Sequence, residues 1–367
     1  MQSCSLSLLL SGDGLGLCCR EMNNELGKYF CFSPFVRMTQ SPSGELRTCV
    51  YSPPLEGSYQ TLEDAFRSSE MEKIRMEMLE GERRPECEWC YRYDESGQYS
   101  CRKDINERWE MVEGLSEGDE IRELDFSAGN KCNFACVTCN GDVSSVWQER
   151  ERKPGDRYTN LEFPKDPNLK QLTLMGGEPT IDPYFNANFF AELLPVEYFQ
   201  MVTNASRFPA PYWTDYLSQC VNVVVGISCD GLGELGEFCR FGWNQRSWEK
   251  NVLKWTGFLG NDHGEDRQNG VWINFVISNY NVKQVPMFRE YCKSNGLRLM
   301  LTVAEEPKCI CPSYLPKEIK ESLKGLDPFV DEILNRSEVN YWDEYVRYTN
   351  YLNTFSKKVP YESICWI

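Results

Sequence analysis

Histidine is nearly missing from these 367 residues; the only one is His263. It stands in the polar stretch Asn261-Asp262-His263-Gly264-Glu265 and reads as a solvated loop residue. That scarcity excludes Ser/His and Cys/His nucleophilic schemes, which need a positioned imidazole. Basic charge is also short: 39 Lys and Arg against 55 Asp and Glu leave a formal net charge of −16. A surface for nucleic acid or anionic membrane needs a basic face, so neither partner is expected. No run of about 18 apolar residues exists to span a bilayer. The apolar stretch at residues 5–10 has no basic segment before it, so a signal peptide is not expected and the protein reads as cytoplasmic. Internal repeats and low-complexity segments are absent too.

What the chain has in quantity is cysteine, 18 of them, in a sequence whose 41% hydrophobic and 26% charged residues suit a globular protein of about two domains. Clustered C-x2-C spacings in an intracellular protein point to metal more than to disulfides. Cys132, Cys136 and Cys139 form a C-x3-C-x2-C array on one short loop. Three thiolates so placed suit an iron–sulfur cluster with one iron left open to another ligand. Tetrahedral zinc would want a fourth protein ligand close by, and no His lies near. Upstream, Cys31 and Cys49 with the pair Cys87-Glu88-Trp89-Cys90 make four ligands, enough for a tetrahedral zinc or a cubane. Cys101 is a spare or alternative ligand. Cys4, Cys18 and Cys19 fall in a loosely organised segment, residues 1–22, with Met22 as an alternative start.

Periodicity organises the rest. Ser43-Gly44-Glu45 reads as a hairpin turn, and residues 61–81 as a helix with Thr61 as its N-cap. Residues 110–120 read as an acidic linker. Beyond them, strands at 121–126, 170–175, 199–203, 221–228, 272–278 and 298–303 alternate with helices near 144–151, 184–194, 209–219, 246–259 and 282–295. Lys153–Asn168 is a Pro-rich loop. Alternating βα units imply a parallel sheet, hence an α/β fold. Residues 312–367 read as an extension of amphipathic helices.

The three-cysteine loop, followed about one βα unit later by Gly176-Gly177-Glu178-Pro179, resembles the radical S-adenosylmethionine (SAM) enzymes. Six βα units resemble their partial (β/α)6 TIM-like barrel, here residues 111–311, with the site at the carboxyl ends of the strands. Cys31, Gly44 and Cys49, the stretch from Arg75 through Leu79-Glu80-Gly81-Glu82 to Cys87-x2-Cys90, and Gly97, Ser100 and Arg102 resemble a twitch (SPASM-like) auxiliary-cluster domain, residues 23–110. That domain normally follows the barrel; here it precedes it.

The resemblance implies a [4Fe–4S] cluster on Cys132, Cys136 and Cys139 that binds SAM and cleaves it to a 5′-deoxyadenosyl radical, which takes hydrogen from a substrate. It implies an auxiliary [4Fe–4S] cluster on Cys31, Cys49, Cys87 and Cys90, with zinc as the alternative there. Gly176, Gly177, Glu178 and Pro179 would hold SAM, with Glu178 an acceptor for its ammonium. Asn204 and Ser228, and after them Thr203, Asp230, Asn274 and Asn279, lie at strand ends where the family places further SAM contacts. Thr138 stands where the family commonly has an aromatic residue or Met near the adenine, and Phe134 is the substitute from the other side of the loop. Cys309 and Cys311 are candidates for a catalytic thiol, against a plain filler role shared with Cys229, Cys239 and Cys292. Relatives often modify ribosomally made peptides, so a peptide leads a small molecule as substrate. Epimerisation, dehydrogenation and crosslinking are equally open. An external donor such as flavodoxin or ferredoxin would supply electrons. The contrasting reading is a non-catalytic iron–sulfur or zinc protein with a degenerate SAM pocket.

Overall fold

The computed structural model describes residues 27–95, 100–110, 120–152, 163, 168–260 and 269–355. Residues 1–22 with Cys4, Cys18 and Cys19, Met22, Gly97, His263, and most of the 110–120 linker and the 153–168 loop lie outside the described residues. The chain divides into two units. The first takes in Met1–Ser41, Glu45–Asp125 and Asn160–Lys170, the second Pro42–Gly44, Phe126–Thr159 and Gln171–Ile367. The division falls within β3 (Glu123–Ser127), after Asp125, rather than at the linker near residue 110.

In the first unit a short helix, α1 (Ser33–Val36), leads into β1 (Arg37–Gln40), which pairs antiparallel with β2 (Leu46–Arg47). The expected hairpin turn forms between them. The expected helix at 61–81 is two helices, α2 (Leu62–Phe66) and α3 (Ser69–Leu79). Thr61 does cap the first, in a reciprocal capping box with Asp64. The break has a local cause: Ser68 takes an extended backbone and its side chain accepts from Met71 N, which starts a new helix. Two helices that the periodicity did not suggest, α4 (Glu88–Glu95) and α5 (Cys101–Glu110), follow. Phe30, Phe32, Val36, Met78, Ile105 and Trp109 form this unit's small core.

A buried ionic network ties β1 to β3. Arg37 Nε donates to Glu123 Oε2 at 2.8 Å and lies 3.8 Å from Asp125, which also accepts from Thr39 Oγ1 at 3.1 Å. Trp109 Nε1 donates to Glu123 Oε1 at 2.7 Å, and Arg108 pairs with the same carboxylate. Buried charges persist only when partnered in this way. Arg75 and Arg102, residues of the auxiliary-domain pattern, also serve backbone. Arg75 donates to Pro34 O and Phe66 O, and Arg102 to Lys28 O and Phe30 O.

The second unit is a mixed α/β structure on a mostly parallel sheet. Its strands β5 (Gln171–Met175), β6 (Tyr198–Thr203), β7 (Asn222–Ser228), β9 (Gly270–Ile277) and β10 (Arg298–Val303) pair in parallel in that order. β3, whose last two residues belong here, is the neighbour of β5. All six expected strands are therefore present, shifted by two residues or fewer at their ends. Helices α7 (Ala187–Glu192), α8 (Pro211–Leu217), α10 (Gln245–Leu259) and α11 (Val285–Ser294) stand where alternation placed them. Leu172, Leu174, Met201, Val225, Ile227, Ile273, Phe275 and Ile277 are fully buried, each worth about 1.5–3 kcal/mol of transfer free energy.

Two pieces fall outside this alternation. A two-stranded antiparallel ladder joins β4 (Ala135–Cys136) to β8 (Arg240–Phe241), which follows α9 (Gly233–Cys239). After β10 come α12 (Lys317–Leu323), α13 (Pro328–Leu334) and α14 (Trp342–Asn353). Tyr345 and Leu352 of α14 pack in one cluster with Ala135, Val137 and Trp147. Among the described residues no helix is long and apolar enough to cross a membrane.

Candidate functional site

The three-thiol loop is fixed by its backbone. Helix α6 (Ser145–Arg150) supplies most anchors. Ser144 Oγ donates to Phe134 O at 2.7 Å, Ser145 Oγ to Cys132 O at 3.0 Å, and Trp147 Nε1 to Cys136 O at 2.7 Å. In return Cys132 N donates to Ser145 Oγ at 3.1 Å. Val137 N donates to Cys239 O, and Val137 O accepts from Tyr348 Oη of α14 at 2.9 Å. With the carbonyls answered, the side chains of Cys132, Cys136 and Cys139 are left to serve another purpose.

Those thiols share one electrostatic environment. Burial pushes Cys132 up to about 12, with the Cys136 sulfur adding to the shift. The Cys139 S–H donates to Cys136, and this donation, with the nearby Arg240 guanidinium, holds Cys136 below its usual range despite burial. Cys139, the donor, is raised well above its own. Neutral donors reach Cys132: Phe134 N at 3.5 Å and, more remotely, Asn204 Nδ2 at 4.0 Å. Cys136 meets a charged one, Arg240 Nη1, at 3.6 Å.

Gly176-Gly177-Glu178-Pro179 docks on the residues that open this loop. Gly177 N donates to Gly129 O at 3.3 Å and Glu178 N to Lys131 O at 2.7 Å. A Cβ on Gly176 would stand 2.8 Å from Gly129 O, and one on Gly177 2.2 Å from Lys131 O. No side chain fits at that separation, so glycine is required by chain meeting chain. The backbone of residues 129–131 is what these two glycines approach. The Glu178 carboxylate is buried and has four protein donors. Oε1 accepts from Thr180 N (3.2 Å), Thr180 Oγ1 (2.6 Å) and Thr203 Oγ1 (2.6 Å), and Oε2 from Asn204 N (2.6 Å). Burial raises its pKa even against these donors. Pro179 is buried and opens the following turn.

The remaining candidates separate. Asn204 belongs with the loop, its Nδ2 donating to Asn133 Oδ1 at 3.0 Å besides facing Cys132. Ser228, at the end of β7, is buried and its carbonyl accepts from Trp248 Nε1. Asp230 is buried, accepts from Val276 N at 2.9 Å and pairs with Arg240 Nε at 2.9 Å. Asn274 accepts from Thr302 Oγ1, while Asn279 donates to Ile310 O and Cys309 O. Cys309 packs in the same cluster as Cys139 and Tyr348, and burial raises its thiol to about 11. Cys311 is buried elsewhere, its Sγ donating to Ser313 Oγ at 3.4 Å. Phe134 is buried against Gly242, and Thr138 is half-buried.

In the first unit Cys49 and Cys87 lie close enough to Cys31 and Cys90 to raise both thiols, Cys49 acts likewise on Cys87, and Cys101 acts on Cys90. Burial raises Cys31 and Cys87, and takes Cys90 to about 12. Cys101 shares a hydrogen bond with Tyr51, whose ring stacks 4.0 Å from Trp89, itself 4.0 Å from Tyr93. Among the described residues no three His, Cys, Asp or Glu side chains converge as a single ion would need. A four-iron cluster spreads its thiolates over separate irons, and the all-thiol donor set of both places fits such a group. Arg240, Asn133, Trp147 and Tyr348 escaped sequence reasoning. Ser144 stands at the start of the helix expected near 144–151 and caps it, its side chain accepting from Trp147 N.

No protein-family model and no curated protein matches the chain. Solved structures do. Native anSMEcpe with bound AdoMet matches at 19% identity and TM-score 0.40, over 58% of this chain and 62% of that one. Streptococcus suis SuiB bound to S-adenosylmethionine matches at 14% and 0.37, over 86% and 70%. SuiB bound to its precursor peptide SuiA matches at 16% and 0.37, over 70% and 60%. The chain is thus similar to two radical SAM enzymes, anSMEcpe being an anaerobic sulfatase-maturating enzyme. It spans 50–62% of the anSMEcpe chains it matches.

Proposed function

We propose that this protein is a radical SAM enzyme with a twitch-like auxiliary centre on the amino-terminal side of a partial barrel. One observation carries the reading most of the way: Gly176-Gly177-Glu178-Pro179 is docked, backbone on backbone, against the residues that open the three-thiol loop. Two motifs separated in sequence are thereby neighbours in space, which supports their serving one site. Cys132, Cys136 and Cys139 would hold a [4Fe–4S] cluster, and the Gly176–Pro179 turn, Asn204 and Ser228 would hold SAM. Bound together, cluster and SAM supply a 5′-deoxyadenosyl radical to a site that this chain shapes. The chain's own part is to fix the thiols, through Ser144, Ser145, Trp147 and Tyr348, and to exclude water by burial.

Cys31, Cys49, Cys87 and Cys90 would hold the auxiliary cluster, with Cys101 beside it. Following the sequence resemblance, a peptide is the substrate class we propose, and an external flavodoxin- or ferredoxin-type protein the donor. Free thiols and an oxygen-sensitive centre suit a reducing compartment, so we place the protein in the cytoplasm. Iron and sulfide per chain after anaerobic reconstitution test the reading. The wild type should hold about eight irons and the Cys132/Cys136/Cys139→Ala variant about four, at four irons per cubane. The wild type should also release 5′-deoxyadenosine from SAM with dithionite. About four irons falling to none, with zinc retained, would make the amino-terminal site structural; no iron in the wild type overturns the proposal.

A further inference from the structure

Cys136 and Arg240 are register partners across the β4–β8 ladder, so the guanidinium lies beside the middle thiol of the loop by construction of the strand pair. Arg240 is 7% exposed and Asp230 1%. Its Nε forms the ion pair with Asp230 at 2.9 Å, while a different nitrogen, Nη1, donates to Cys136 Sγ at 3.6 Å. Asp230 is fixed in turn by Val276 N of β9. Strand, carboxylate, guanidinium and thiol form one buried relay. The contacts of Cys132 differ in kind, being with backbone amide N–H groups and, at 4.0 Å, a carboxamide. Desolvating an arginine is expensive, and packing alone would be served by an apolar side chain. A charge retained here acts on whatever occupies the thiols.

We infer that Arg240, held by Asp230, is a positioning residue that raises the reduction potential of the cluster on Cys132, Cys136 and Cys139. The inference rests on the cluster reading proposed above. One-electron reduction adds one negative charge to the cluster, and a fixed cation against a ligating sulfur stabilises the more negative state, most strongly where water is excluded. Potentials of such clusters follow charge and the hydrogen bonds to their sulfurs.

The test is a potentiometric titration of the anaerobically reconstituted full chain, reduced with dithionite through mediators and read by electron paramagnetic resonance. The Cys132/Cys136/Cys139→Ala variant identifies the signal. Arg240→Gln should keep its iron yet be reduced at least tenfold less favourably, about 59 mV for one electron, and Arg240→Lys should recover part of the loss. An unchanged potential in an iron-replete Arg240→Gln overturns the inference. If Arg240→Gln retains no iron, Arg240→Lys decides. Iron retained at a near-native potential supports a role for charge, and iron lost there too reduces Arg240 to packing and overturns it. Equal iron in wild type and triple variant would instead overturn the cluster reading beneath it.

Discussion

The two thiol-rich places are built in opposite ways. In the second unit three thiols come from one loop of eight residues, and a hydrogen-bonded frame of Ser144, Ser145, Trp147 and Tyr348 holds that loop through its carbonyls. In the first unit the thiols come from separate segments: Cys31 before α1, Cys49 after β2, Cys87 and Cys90 around the start of α4, and Cys101 at the head of α5. Each place has a buried arginine, but Arg37 has two carboxylates, Glu123 and Asp125, whereas Arg240 has one and turns a free N–H to sulfur. A site on one loop can exist before its metal. One gathered from four segments is a product of folding, and a metal held there, as proposed, would stabilise the fold and be stabilised by it.

Breaking the ionic tie of the first unit should have the largest effect. Glu123→Gln leaves Arg37 buried with a weakened partner and should cost about 3–5 kcal/mol in thermal or denaturant unfolding, with iron lost from the first unit before the loop. Burial acts to raise the Glu123 pKa, yet Arg37, Arg108 and Trp109 hold it below its usual 4.5. A depressed acid contributes stability that is present above the unfolded value and lost as pH falls through the folded one. The gap between wild type and Glu123→Gln should therefore shrink below about pH 4.5; a gap that stays constant to lower pH would show that the pair is not ionic.

Gly177→Ala strikes the other place. Its methyl group would press on Lys131 O, an overpacking cost of about 1–3 kcal/mol, and iron should now leave the loop while the first unit keeps its own. Trp147→Phe is milder, removing the donor to Cys136 O at about 1–3 kcal/mol for a carbonyl left unanswered. It should speed oxygen-driven loss of the loop's iron, followed by absorbance. Thr61→Ala sharpens the comparison from its weak end. Loss of a helix cap should cost about 1 kcal/mol and leave iron content at both places unchanged.

Much of the second unit was legible because its strands announce themselves. Strands were expected at 199–203 and 272–278 and stand there as β6 and β9, which bury every second residue, and the cysteine loop and Gly-Gly-Glu-Pro are each contiguous in sequence. What escaped depends on residues far apart in the chain. Arg240 meets Cys136 across 104 positions, Arg37 meets Glu123 across 86, and neither pairing leaves a local trace. Helices α4 and α5 were missed because their cysteines invited a metal-loop reading and their many charges hid the apolar face.

Tyr348 closes the frame of the loop from 211 residues downstream of Val137. At ordinary rates of synthesis the loop leaves the ribosome roughly 10–40 s before its last anchor is made. For that interval the three thiols are exposed on an incompletely tethered segment, open to oxidation or to a wrong metal. On the proposed reading, a cluster delivered after α14 has docked would meet a finished cradle, so the order of assembly follows from how far downstream the loop finds this anchor.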